Sequence, residues 1–380
     1  MKLCIDARPL QNGHRGRGVG VLTQNLLTHM GRQATDDEVT LITLAGKPLS
    51  PLFRRERRIE TRRLERPNRF NWLADQLLLP GVVAQSGAEV FLATDFNSYL
   101  IPRGGTRVVS LAYDLIPFIF RETMASQPLS VRLGLRTNFP KLKESTAVIA
   151  ISQATKNDLV RRFDLDPARI SVVYPGIDHS LFNLSTAGDE TRRRELLDRL
   201  GMAGSFFLYV GDSEWRKNLR RVLEAFAATG TGMKIVLAGK RALTDSALLG
   251  WIEELGLQGR VVLPGFVADA DLPLLYGAAT AFVFPSLYEG FGLPVAEAMA
   301  CGCPVITSTV SSLPEVAGEA ALLVDPCKVA EISAAMVKVL KEPELRGQMI
   351  AAGLRQAEQF SWERAAQETL TVIAGAGGRG

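Results

Sequence analysis

Three clusters in this sequence bring together residue types that can work on a phosphorylated ligand. The first is Arg15-Gly-Arg-Gly-Val-Gly20, in which Gly16, Gly18 and Gly20 allow a tight turn and close backbone approach ahead of a helical pattern at Val19–Met30. Free N–H groups at such a helix start suit a phosphate, a purely structural turn being the plain alternative. The second is Gly211-Asp-Ser-Glu-Trp-Arg-Lys-Asn218. Here Arg216 and Lys217 precede a helical pattern at Asn218–Ala228, and two cations at a helix N-terminus are unfavourable unless an anion offsets them. A pyrophosphate does that; a solvated charge pair is the plain alternative. The third is FPSLYEGFGLPVAEAMACG at 284–302. Pro294 suits a first helical turn, where the amides of Gly292, Leu293 and Val295 can meet a phosphate. Glu289, in the loop, and Glu297, in the helix, can accept hydrogen bonds from sugar or ribose hydroxyls. For Glu297 alone, a favourable charge near a helix N-terminus is the competing explanation.

All three clusters follow short apolar runs that read as strands. Those runs lie at 3–5, 39–44, 90–92, 108–111, 148–151 and 172–174, then at 206–210, 235–238, 261–263, 281–284, 304–307 and 322–324. Helical patterns fall between most of them, and such alternation predicts parallel sheets covered on both faces. Two sets predict two doubly wound Rossmann-like domains, over 1–184 and 185–360, with a last helix over 361–380 crossing back to the first. A chain of 380 residues suits two domains of roughly 190 each. Ligands of such sheets bind beyond the carboxyl ends of the strands, where the three clusters fall.

Charged residues are 22% and hydrophobic residues 47%, an ordinary globular balance. No apolar run reaches the length of a membrane span, and the N-terminus lacks the pattern of a secretion signal. We therefore expect a cytoplasmic protein, peripheral at the inner face of the membrane. Cys301 and Cys303 have no second pair or nearby His to complete a metal site, so buried thiols are expected. Residues 1–184 carry 25 Lys and Arg against 17 Asp and Glu, while 185–380 carry 19 against 23. The basic half should meet something anionic. The run Arg54–Arg69 holds eight Arg and three Glu and is a candidate contact for an anionic membrane, a solvated helix face or loop being the plain reading. It lacks the interleaved aromatics of a nucleic-acid platform, so no nucleic acid is expected.

Taken together, the clusters resemble the large retaining glycosyltransferase family of the GT-B fold, family 4 or group 1. The densest likeness spans Tyr209–Asp325, with YVGDSEWRKNLRRVLEAF, VVLPGFVADADLPLLY and the spacing of Glu289 and Glu297 around GFGLP; SQATKNDL and VVYPGID at 152–159 and 172–178 also match. The resemblance implies two Rossmann-like domains facing across a cleft. It implies that Arg216 and Lys217 hold the donor diphosphate, that Glu289 contacts the transferred sugar and that Glu297 takes the ribose hydroxyls. Gly211, Gly18 and the Phe291, Gly292 and Leu293 backbone would approach the phosphates, and backbone at Phe266 and Val267 the base. Tyr113 and Asp114 would lie on the sugar and acceptor side. Tyr113 departs from the family, which often has His there. A Tyr ring against the C5 substituent would favour a 6-deoxy sugar, unless the side chain simply turns into the core.

The implied reaction is transfer of a hexosyl group with retention, from GDP-mannose or a related 6-deoxy sugar nucleotide. The acceptor would be a glycan or polyprenyl-phosphate-linked molecule in surface-polysaccharide synthesis. The nucleotide sugar is a substrate, and no cofactor is expected. Asp164-Leu-Asp166 and Asp269-Ala-Asp271 read as chance or helix caps rather than metal ligands, so no metal requirement is expected. A UDP-sugar-dependent transferase and a non-catalytic nucleotide-sugar binding protein are the alternatives. A dinucleotide dehydrogenase is weakened by the absence of an acidic residue after Val39–Leu44.

Overall fold

The computed structural model describes residues 1–12, 18–34, 36–61, 71–101, 104–202, 204–240 and 244–378. It divides into two compact units, Met1–Gly176 with Trp362–Gly380, and Ile177–Ser361. Residues 177–184, expected at the end of the first domain, thus lie in the second unit.

The first unit is built on β1 (Lys2–Asp6), β2 (Glu38–Leu44), β3 (Glu56–Thr61), β4 (Val90–Ala93), β5 (Arg107–Ala112), β6 (Ala147–Ala150) and β7 (Ile170–Val172), in the order β3-β2-β1-β4-β5-β6-β7. The second is built on β8 (Phe206–Val210), β9 (Lys234–Ala238), β10 (Val261–Gly265), β11 (Ala281–Phe284), β12 (Val305–Ser308) and β13 (Ala321–Val324), in the order β10-β9-β8-β11-β12-β13. Every pairing is parallel. The central strands are buried on both faces, which is why they read as unbroken apolar runs rather than alternating ones. In each sheet the order of growth reverses once, between β1 and β4 and between β8 and β11. These two positions are where ligands of open α/β sheets bind.

One strand was not legible. β3 lies inside the arginine run, at the edge of the first sheet, and corrects the expected helix face or loop. An edge strand exposes one side, and charge there blocks pairing with another chain. Arg57 reaches back to Ser86 O at 3.0 Å, and Arg58 Nε donates to Glu56 Oε1 at 2.9 Å. Residues 62–69 of the run, and Gly16 of the first cluster, lie outside the described residues.

The helix Trp362–Ala376 belongs to the first unit. Its buried positions Trp362, Ala365, Ala366, Thr369 and Ile373 form one face. That face packs on the helix Gly18–Gln33 and on β4, β5 and β6. The rings of Trp362 and His29 stack at 6.4 Å, and Gln33 Nε2 donates to Glu363 O at 2.9 Å. Cys4, Cys301 and Cys303 are buried thiols, while Cys327 is exposed. Among the described residues no helix is long and apolar enough to cross a membrane.

Candidate functional site

The connections after β8 and β11 leave their strands side by side at the point where the second sheet reverses. Gly211, the first residue past β8, has φ 151°, and a Cβ on it would lie 3.0 Å from Lys217 Cδ. The missing side chain makes room for the lysine. Gly239, past β9, serves the same loop from below: a Cβ there would stand 2.3 Å from Gly211 O. Arg216 and Lys217 occupy a 3-10 turn, Trp215–Lys217, just ahead of the helix. Asn218 follows in the left-handed region with φ 61°, and the helix begins at Leu219. Asn tolerates that conformation better than most residues. Its buried amide also donates to Pro285 O at 2.9 Å and Pro326 O at 2.6 Å. One side chain therefore ties together the loops after β8, β11 and β13.

The two neighbouring cations part company. Arg216 Nη1 donates to Glu289 Oε2 at 2.7 Å and to Tyr288 O at 3.3 Å, while its Nη2 lies 2.9 Å from Glu214 Oε2. Lys217 instead places its ammonium 5.4 Å from the centre of the Phe284 ring. Among the described residues that ammonium meets no hydrogen-bond acceptor and no carboxylate within ion-pair distance. The anion that two adjacent cations call for is thus supplied to Arg216 by the protein itself and left open at Lys217.

Glu289 is held through both its side chain and its main chain. Its Oε1 accepts from Ser286 Oγ at 3.0 Å, its amide donates to Ser311 Oγ at 3.0 Å, and its carbonyl lies 2.9 Å from Ser312 Oγ. Gly292 caps the helix Leu293–Ala300 with φ 115°, a backbone state that favours glycine. Of the three amides expected to face a phosphate, that of Val295 is taken by Gly292 O at 2.9 Å. Those of Gly292 and Leu293 donate to no acceptor among the described residues, as at an ordinary helix start.

Glu297 lies one turn further along, half-buried, with Tyr276 Oη 3.4 Å from its Oε2. Burial pushes its carboxyl up to about 7, with the Asp269 charge acting in the same direction and Tyr276 and Lys217 against it. Beyond β10, Phe266 is 62% exposed, with Lys240 Nζ 5.1 Å from its ring centre, and Val267 is half-buried. An exposed aromatic at a strand end offers a face for a base.

The expected capping roles of the D-x-D triplets hold only in part. Asp166 accepts from Ala168 N at 2.9 Å and caps a short turn. Asp271 makes no cap bond and pairs with Arg199 at 3.1 Å and Arg192 at 3.6 Å.

In the first unit, Gly18 opens the helix Gly18–Gln33, and a Cβ on it would meet nothing within 4 Å. Tyr113 turns its hydroxyl to Thr23 Oγ1 at 2.7 Å, and burial raises the phenol above its ordinary range. Its polar tip is therefore engaged within the unit, and only the partly exposed ring remains for a ligand. Asp114 Oδ1 accepts from Ile116 N at 3.0 Å. At the end of β1 stands a buried group that sequence reading missed. Arg8 grips Asp6 through Nε at 2.7 Å and Nη2 at 2.9 Å, and Asp75 through Nη1 at 2.6 Å. Removing one partner from such a buried cluster leaves an uncompensated charge.

Two units, each with a parallel α/β sheet whose strand order reverses once, define a doubly wound architecture, and known proteins give its family. Residues 200–356 match the model described as glycosyl transferases group 1, and residues 16–181 match glycosyltransferase family 4. The O-antigen chain mannosyltransferase B of Escherichia coli is 33% identical over 86% of this chain and 82% of its own. Among solved structures, sucrose-phosphate synthase from Thermosynechococcus elongatus superposes with TM-score 0.78 at 20% identity, over 98% of both chains. HepE from Anabaena, solved with UDP and glucose, gives 0.74 at 18% identity, over 99% of this chain and 100% of its own. The chain belongs to family 4 of the glycosyltransferases, with the GT-B fold.

Proposed function

We propose that this glycosyltransferase moves a mannosyl group, or a related 6-deoxy hexosyl group, from a GDP-sugar to a glycan or polyprenyl-phosphate-linked acceptor. On this reading it works in surface-polysaccharide assembly at the cytoplasmic face of the membrane. The observation that carries the donor site is the Lys217 ammonium, set over Gly211 at the reversal of the sheet and without a carboxylate partner among the described residues. A leaving diphosphate supplies the missing anion, and Glu297 faces the ribose. The mannosyltransferase relative supports the sugar, and the UDP complex of HepE keeps a UDP-sugar as the second reading. Retention follows if the leaving diphosphate assists the acceptor hydroxyl on the same face. The charge of Lys217 and the helix amides then does the work a metal does elsewhere.

Thermal-shift screening against GDP, UDP, dTDP, ADP and their sugars tests this directly. A ligand at 100 times its dissociation constant adds about 2.7 kcal/mol. GDP-mannose should raise the melting temperature most, and product analysis should show an α-linked sugar with EDTA present. Stabilisation by no nucleotide removes the reading.

The basic first unit fits an anionic leaflet. Arg54 and Arg55 are exposed ahead of β3. The following helix, Asn71–Ser86, exposes Leu73, Leu77 and Leu78, the last two by 70% and 64%. Replacing both arginines by Ala should weaken sedimentation with anionic liposomes by about thirtyfold, each basic residue contributing about 1 kcal/mol. Binding that is equal on neutral and anionic vesicles would exclude this contact.

A further inference from the structure

Arg216 and Lys217 are adjacent, yet only one of them is free to meet a phosphate. We propose that Arg216 is a positioning residue that sets the Glu289 carboxylate, and that of the two it is Lys217 that supplies a side-chain cation to the donor diphosphate. The inference rests on the reading of Glu289 as the group that meets the transferred sugar.

A guanidinium has a fixed fork of donors, so what it faces defines its task. Arg216 directs Nη1 at Glu289 Oε2, 2.7 Å away, and at Tyr288 O, and Nη2 at Glu214 Oε2, 2.9 Å away. Its own carbonyl accepts from Leu287 N at 2.7 Å. Both ends of the residue therefore hold the loop that carries Glu289. The Arg216 side chain is 16% exposed and that of Glu289 13%, so the pair is largely shielded from water. Turning the guanidinium to a diphosphate would strip Glu289 Oε2 of this partner beside two incoming negative groups, and truncating one member of a shielded charge pair is the costly case.

The opposite arrangement is self-consistent. Each carboxylate oxygen can accept more than one hydrogen bond. Arg216 fills one place on Oε2 and Ser286 one place on Oε1, which fixes the plane of the carboxylate and leaves one place on each oxygen for sugar hydroxyls. Ser311 and Ser312 fix the Glu289 main chain from the loop after β12. A functional group held this closely by its neighbours is what precise placement of a substrate needs. The positive partner also offsets the charge of Glu289, which would otherwise repel the diphosphate. Glu214, 57% exposed, completes the triad from the solvent side.

The test compares full-length wild type with Arg216→Ala, Arg216→Lys, Lys217→Ala, Glu289→Ala and the Arg216→Ala/Glu289→Ala double variant. Calorimetry measures affinity for GDP and for GDP-mannose, with UDP and UDP-glucose in parallel. Steady-state donor hydrolysis supplies kcat and donor KM. Lys217→Ala should lose about tenfold or more in affinity for the bare nucleoside diphosphate, and Arg216→Ala less than about threefold. Arg216→Ala and Glu289→Ala should both lower kcat by about tenfold or more. The double variant should be no worse than the poorer single one, because the two act as a unit. Arg216→Lys keeps a charge near Glu289 and should recover part of kcat. Near-wild-type melting of Arg216→Lys separates positioning from folding. Loss of GDP and UDP affinity in Arg216→Ala equal to that in Lys217→Ala, or additive losses with Glu289→Ala, overturns the proposal while the donor site stands. A wild-type protein that binds neither nucleotide takes down the donor site as well.

Discussion

Lys217→Ala should lower turnover by about one to three powers of ten, the effect of removing about 1.5 to 4 kcal/mol of charge stabilisation from a departing anion. The expectation follows from what surrounds the ammonium. It is half-buried, it lies over the Phe284 ring, and no carboxylate pairs with it among the described residues. A cation in that position attracts whatever negative charge develops nearby. Gly211→Ala offers an independent approach, because its Cβ would stand 3.0 Å from Lys217 Cδ and 3.1 Å from Nζ. It should reproduce part of the defect with the charge intact. Measured kcat for donor hydrolysis decides the matter, and full turnover in Lys217→Ala removes this residue from the leaving-group site.

Glu297→Gln should make the protein more stable at pH 8 and worse at binding nucleotide. The carboxyl is pushed up to about 7, chiefly by burial. Because its folded pKa lies above the unfolded one, its stabilising contribution is full below about pH 4.5 and is lost as pH rises through 7. At pH 8 the wild type holds an ionised carboxylate in a poorly solvated place, and the neutral amide does not. The full shift would correspond to about 3 kcal/mol, and residual water contact at this half-buried group brings the expected gain to about 1–3 kcal/mol. That is a rise in melting temperature of roughly 2–10 °C for a domain of this size, shrinking towards zero at pH 5. The amide has one acceptor oxygen where the carboxylate has two, and cannot take both ribose hydroxyls. Affinity for GDP or UDP should fall by about tenfold or more, the scale of a charge-assisted hydrogen bond. Melting curves at pH 5 and 8 and one titration series check both halves. If nucleotide affinity is unchanged, Glu297 does not face the ribose.

The parts of the molecule that are written locally are legible in the sequence. Buried parallel strands have to be apolar along their whole length, so β4, β8 and β11 stood out. Glu289 and Glu297 stood out because glycines and a helix-starting proline frame them. β3 escaped because an edge strand is free to be polar, and Glu56–Thr61 carries Arg57, Arg58 and two glutamates. Asn218 was visible as a residue but not as a tie, since Pro285 and Pro326 reach it only through the order of the strands. Ser286, Ser311 and Ser312 act in the same way on Glu289. The partition of Arg216 from Lys217 is beyond any spacing rule. It depends on which of two adjacent side chains the loop after β11 presents with a carboxylate.

The first unit is assembled from both ends of the chain, Met1–Gly176 and Trp362–Gly380. During synthesis all of Ile177–Ser361 must be made between its two parts. At 5–20 residues per second that interval lasts roughly 10 to 40 s. For that time the helix Gly18–Gln33 lacks the helix Trp362–Ala376 that packs on it. The second unit has no such wait, since its chain is continuous. The nascent protein therefore passes through a state in which its second unit can close while its first still shows apolar surface, the form in which chaperones would meet it.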